Sequence, residues 1–226
     1  MERADKIGDW LVAEGPHGAD MGALLGSLAE RLLAAGIPVA RMATMIETPH
    51  PRFIGAMRVW EPGGDVRLRR ATFDDPAITA AAKRFTIDEV QETGDWVDFK
   101  LDDPRIGDDD LLPRLAQAGH THYLLMPLEF REGPLQGISF STKQAGGFTA
   151  AQRQAIRKLQ PSLALTANAI ATHTMWREVL KQHLRALRLW RRHKRSAKRR
   201  PMSASPCMWA RLRSAISGRA TGATSR

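Results

Sequence analysis

Between residues 20 and 35, Met21, Leu24, Leu25, Leu28, Leu32 and Leu33 recur at intervals of three and four. That spacing predicts an amphipathic helix, which Gly36 stops. Downstream the period shortens. Residues 39–47 and 53–60 are brief apolar runs separated by Thr48-Pro49-His50-Pro51, which cannot be helical, so two strands joined by a connection are expected. Glu61-Pro62-Gly63-Gly64-Asp65 makes a second turn before a short strand over 66–71.

An Ala-rich stretch, 76–85, predicts a helix, and acidic loops surround Asp102-Asp103-Pro104 and Asp108-Asp109-Asp110. A short helix over 111–118 ends at Gly119. Two more strands, 121–130 and 135–142, flank the turn Glu132-Gly133-Pro134. After Gly146-Gly147-Phe148, Thr149 caps a long helix whose apolar face runs through Ile156, Leu159, Leu163, Leu165, Ala169 and Ile170 to Met175 and Val179, with a kink or restart at Pro161. The order predicts an α+β fold: an antiparallel sheet with N- and C-terminal helices packed on one face.

With 226 residues, one core and an extension are expected. The net charge of +10 suggests a nucleic-acid binder until its distribution is read. After Glu178 there are 14 Lys or Arg and no Asp or Glu. That leaves 20 of the 34 cationic residues against all 24 acidic ones in 1–178, a net charge of −4. The basicity belongs to the tail. The single cysteine, Cys207, also lies there, which excludes an intrachain disulfide, a CxxC pair and a bilin attached covalently within the domain. No apolar run approaches the length of a membrane span and the N-terminus has no signal-peptide core, so a soluble, cytoplasmic chain is expected.

Several short motifs occur in a fixed order: Leu28-Ala29-Glu30-Arg31-Leu32 with Ala35-Gly36-Ile37-Pro38, His50-Pro51, Trp60-Glu61-Pro62-Gly63, Glu92-Thr93-Gly94, Gly119 with Thr121 and Tyr123-Leu124, Pro127-Leu128, and 142–149 (Thr-Lys-Gln-Ala-Gly-Gly-Phe-Thr). This set resembles the N-terminal, GAF-like regulatory region of bacterial class III adenylate/guanylate cyclases, over about residues 20–178. The resemblance implies a GAF-like sensory domain, preceded by an extension over 1–19 and followed by a basic, low-complexity, disordered tail over 179–226.

In that family the last helix leads into a catalytic domain where two Asp residues hold divalent metals on the nucleotide. Here the resemblance ends near Glu178, and the segment beyond it has no carboxylate to bind Mg²⁺. The expectation is a non-catalytic module of cyclic-nucleotide signalling with no cofactor, encoded by a gene whose catalytic half was lost to a frameshift or early stop.

Candidate chemistry within the domain is sparse. His120 and His122, two apart on a strand, would approach a metal from one side but lack third and fourth ligands. Hydrogen-bonding histidines at a strand entrance are the plainer account. Phe85-Thr86-Ile87-Asp88-Glu89 resembles part of the motif of cyclic-nucleotide-binding GAF domains, with a spacer one residue short and no Asn-Lys half. Asp108-Asp109-Asp110 lacks EF-hand spacing and reads as a solvated loop. Gly146-Gly147 lacks the Lys-Ser/Thr of a phosphate loop and reads as a turn. Trp10, Trp60, Trp96 and Trp176, with Phe53, Phe99, Phe130 and Phe140, would line a ligand pocket or fill the core.

The apolar face of the last helix exceeds what one sheet face needs, so homodimerisation through Ile156, Leu159, Leu163, Ile170 and Val179 is expected. The other expected partner is a small-molecule or protein ligand. The alternative function is a basic-tailed protein binding nucleic acid or an anionic membrane.

Overall fold

The computed structural model describes residues 2–13, 15, 20–50, 53–72, 89–90, 92–129 and 136–199. The chain divides into two compact units, Met1–Arg177 and Glu178–Arg226. The first is built on a six-stranded, wholly antiparallel sheet: β1 (Arg41–His50), β2 (Phe53–Trp60), β3 (Arg67–Thr72), β4 (Val97–Lys100), β5 (His122–Leu128) and β6 (Gln136–Thr142), in the order β3-β2-β1-β6-β5-β4. Five of the six strands follow from the sequence. The exception is β4, whose four residues Val-Asp-Phe-Lys give too short an alternation to register as a strand.

Side chains alternate between the two faces of a strand, so the register sorts them. Met42, Phe140 and Leu124 are aligned across β1, β6 and β5, with Ile138 and Met126 one step along. All five are buried in the main core with side chains from α1 (Glu2–Ala13), α2 (Met21–Ala34), α4 (Ala150–Lys158) and α5 (Gln160–Arg199). The helices thus cover one face. The short α3 (Leu112–Gln117) lies elsewhere, in a second, smaller cluster.

Local chemistry sets the helix ends. At the start of α2, Asp20 Oδ1 accepts from the Gly22 and Ala23 amides at 2.7 and 2.9 Å, and these backbone bonds, that from Ala23 foremost, hold its carboxyl below the ordinary 3.8. Gly36, at φ +81°, ends that helix in the left-handed conformation that glycine adopts without a Cβ clash. Thr149 and Gln152 form a reciprocal capping box on α4, and Gln152 also donates to the Gly36 carbonyl at 3.0 Å, joining the two helix ends. The break at Leu159 falls where Pro161 removes a backbone donor.

Two boundaries differ from the sequence reading. The stretch 1–19, expected as an extension, carries α1, whose Ile7 and Leu11 enter the main core, and Thr166 Oγ1 donates to the Leu11 carbonyl at 2.8 Å. Glu2–Ala13 escapes detection because only Ile7, Trp10, Leu11 and Val12 among its residues are large and apolar. The helix expected to end near Val179 continues to Arg199, so the first part of the expected disordered tail is helical.

If α1 belongs to the fold, Leu11→Ala lowers stability by about 2–5 kcal/mol, because it empties a fully buried site. Urea unfolding of the variant measures this. An unchanged midpoint and slope would show that α1 is dispensable.

Candidate functional site

The face of the sheet away from the main core carries the unusual chemistry. Two rows cross it in register: Arg41, Ser141, Tyr123 and Phe99, then Ala43, Ser139, Leu125 and Val97, from β1 through β6 and β5 to β4. On the β4–β5 side Tyr123, Phe99, Leu125 and Val97 pack with Val90, Leu101, Leu112 and Leu115 into the second cluster. On the β1–β6 side the side chains are small or polar. Arg41, Ser139 and Ser141 are nonetheless buried.

Ser139 Oγ donates to the Ala43 carbonyl at 3.4 Å, whereas Ser141 Oγ has no hydrogen-bond partner among the described residues, and neither has His120 Nδ1. Leaving such a group buried and unpaired costs about 1–3 kcal/mol. Burial lowers the His120 pKa from the ordinary 6.5, the charges of Lys143 and Arg41 lower it further, and Glu61 opposes them. The imidazole is therefore neutral at pH 7. Glu61 in turn reaches Arg41 at 4.0 Å and pairs with Arg67. The site thus sets a buried guanidinium, a neutral imidazole and a buried hydroxyl unpaired among the described residues near one end of the central strands, a set whose chemistry suits a small polar ligand.

On the helix face, a different group of residues is fully engaged. The Phe148 amide donates to His122 Nδ1 at 3.0 Å, so that nitrogen carries a lone pair and Nε2–H donates to Asp98 Oδ1 at 2.6 Å. Asp98 Oδ2 also attracts Arg153 at 3.4 Å and Arg157 at 3.9 Å. Burial pushes the Asp98 carboxyl up, but the hydrogen bond from His122 and the nearby guanidiniums of Arg153 and Arg157 outweigh it, and the carboxyl sits below 3.8. Nearby, Trp96 Nε1–H donates to Gln160, and Gln160 donates to the Pro127 carbonyl, at 2.9 and 3.0 Å. Gly147, at φ +81°, packs so tightly on His122 that any Cβ would overlap the ring. Edge strand β4, β5 and the entry to α4 are fastened together at this point.

The two histidines, two apart in the sequence, meet different surroundings. His122 is consumed by Asp98 and Phe148, and His120 lies in the field of Arg41, Lys143 and Glu61. Among the described residues no group of three His, Cys, Asp or Glu converges. Phe85–Asp88 lie outside the described residues, as does Phe130. Asp109 departs from the solvated-loop expectation: it is buried and accepts from the Leu111 and Leu112 amides at 2.7 and 3.2 Å at the head of α3. Of the aromatic residues, Trp60 and Phe140 fill the main core, Phe99 the second cluster, and Trp176 is exposed.

Four of the five residues expected at a dimer seam face inward. Ile156, Leu159, Leu163 and Ile170 are buried in the chain's own main core, because the sheet takes the whole stripe, and only Val179 is exposed. The sequence cannot separate a sheet-facing stripe from a partner-facing one, since both have helical period.

No family model matches the sequence, and no curated protein matches it. Solved structures do. The GAF domain of a two-component sensor histidine kinase from Bacillus halodurans superposes with a TM-score of 0.50 at 11% identity, over 70% of this chain and 99% of that one. The GAF domain of a phosphoenolpyruvate-protein phosphotransferase from Coxiella burnetii gives 0.50 at 15% identity, over 76% and 98%. The phycocyanobilin-bound GAF domain of a cyanobacterial phytochrome gives 0.50 at 8% identity, over 75% and 96%. The chain has the GAF fold. At these identities the likeness establishes a GAF architecture for the sheet and its helices.

Asp98→Ala should remove about 1–3 kcal/mol of this GAF domain's stability at pH 7, by orphaning the buried His122 Nε2–H. Because the folded carboxyl has the lower pKa, its contribution is present above about pH 3.8 and fades below. Urea unfolding at pH 7 and in acid should show the gap between variant and wild type narrowing as pH falls. A gap independent of pH contradicts an ionised Asp98 at this junction.

Proposed function

We propose that residues 1–177 are a non-catalytic sensory domain that takes a small polar ligand over the β1–β6 face, and that its parent family is the class III adenylate/guanylate cyclases. The observation that carries the ligand reading is that His120 Nδ1 and Ser141 Oγ, two of the three buried side-chain polar atoms without a partner among the described residues, lie near the buried Arg41. A ligand that supplied their missing bonds would repay a standing penalty in the free protein. The ordered motifs over residues 20–178 support the cyclase parentage, and the absence of carboxylates from 179–226 supports a non-catalytic role.

A homodimer is part of the reading, with its seam moved to the far side of the helix, about 150° round. On the first unit's part of α5, Leu165, Ala169, Thr172 and Trp176 follow one another at spacings of four, three and four on the side away from the core, and Leu165 and Trp176 are 58% and 59% exposed. A second copy would cover them.

Three measurements test the proposal. Ser141→Ala should leave the free protein equally stable or up to about 1 kcal/mol more stable, while abolishing the thermal shift given to wild type by a ligand found among nucleotides and small carboxylates. A loss of stability on its own would mean the hydroxyl is structurally paired. Incubation with ATP or GTP and Mg²⁺ or Mn²⁺ should give no cyclic nucleotide, and turnover abolished by a substitution in this chain would refute the non-catalytic reading. Leu165→Glu with Trp176→Glu should halve the molar mass by light scattering and keep the circular dichroism of wild type, whereas Ile170→Glu should unfold the domain. An unchanged mass removes the seam.

A further inference from the structure

The second unit begins inside α5, and its helical part is two-sided. Val179, Leu180, Leu184, Leu187 and Trp190 are all exposed, the last four by more than half. At 100° per residue they fall within one side of the helix, roughly 140° wide. Lys181, Arg185 and Arg188, spaced by four and three, lie on the opposite side and are exposed as well, with Leu189 beside them. Within this stretch every charged group is a cation, and across 179–226 the sequence has 14 Lys or Arg and no Asp or Glu.

We propose that the part of α5 from Glu178 onward lies in the surface of an anionic lipid bilayer, its leucine side among the acyl chains and its basic side among the headgroups. Three features favour this occupant. Large aliphatic side chains backed by a cationic face, with a Trp among them, match the boundary between hydrocarbon and charged headgroup. The charge is complementary to an anionic leaflet, and each Lys or Arg near it strengthens binding roughly fivefold. No helix among the described residues is long and apolar enough to cross a membrane, so the apolar side would be buried in the plane of the interface. A second copy is disfavoured because neither chain brings an acidic residue in 179–226 to offset the other's cations. Nucleic acid would satisfy the cations and leave the leucines in water. This inference is independent of the ligand proposed for the sheet face.

Flotation of the full chain tests it, with vesicles of phosphatidylcholine alone or with about one-third phosphatidylserine. Wild type should float with the anionic vesicles and stay behind with the neutral ones, and added salt should weaken the binding. Arg185→Gln with Arg188→Gln should weaken it about thirtyfold, and Leu180→Gln with Leu187→Gln about tenfold or more. Both variants should keep the wild-type molar mass in the absence of lipid. The proposal is overturned if the chain does not float with anionic vesicles, or if the leucine variant floats like wild type. It is equally overturned if the leucine variant alone falls in molar mass, which assigns the stripe to a second copy. Tight binding to duplex DNA or RNA with no measurable affinity for anionic vesicles would assign the helix to nucleic acid.

Discussion

Burial of Met42, Leu124, Met126, Ile138 and Phe140 beneath the terminal helices is the constraint on which the rest depends. An antiparallel sheet presents alternate side chains to opposite faces, so filling one face with large apolar residues decides what the other can carry. Once the N-terminal helices and the first part of α5 seal that face, their own apolar residues are used up. Leu163, Ala167 and Ile170 point at the sheet, and Leu165 and Trp176 are left outside. The opposite face receives the alternates, and its β1–β6 half is lined by Arg41, Ala43, Ser139 and Ser141, which are too small or too polar to build a second complete core. Chemistry able to meet a ligand collects there for that reason.

The His122 junction adds a different kind of order. Hydrophobic burial is non-directional and would tolerate a loosely held β4 at the sheet edge. The bonds from the Phe148 amide to His122 and from His122 to Asp98 are directional, and they reach from the strand edge to the turn that opens α4. Asp98 then draws Arg153 and Arg157 from α4 itself. A shift of β4 would be felt at the base of α4, which gives the domain a physical connection between its sheet edge and its C-terminal helices.

Much of this was legible in the sequence. The three-and-four spacing of Met21, Leu24, Leu25, Leu28 and Leu32 gave α2, Thr149 gave the cap of α4, and the Pro- and Gly-rich stretches placed the turns between strands. The glycines in the motifs that resemble cyclase regulatory regions, Gly36, Gly63, Gly94, Gly119, Gly146 and Gly147, all have positive φ. Those motifs therefore report where the chain must turn, which explains why they foretold the GAF fold so well and the ligand not at all. What escaped was whatever depends on non-local partners. Strand β4 exists because β5 pairs with it, and α1 because α5 and the core accept Ile7 and Leu11. His120 and His122 look alike in sequence, yet 1D spacing cannot show that His122 bonds Asp98 while His120 is buried in the field of Lys143 and Arg41.

Amide hydrogen exchange resolved by residue on the full chain is the most direct test of the central claim, that one sealed helix face and the His122 junction make residues 1–177 a single cooperative unit. The Phe148 amide and the amides of β5 and β6 should exchange together at the rate set by global unfolding, while those of residues 179–199 exchange far faster. If Phe148 instead exchanges as fast as the helix beyond Glu178, or β5 and β6 open separately, the sealed face does not hold the domain together and the account fails.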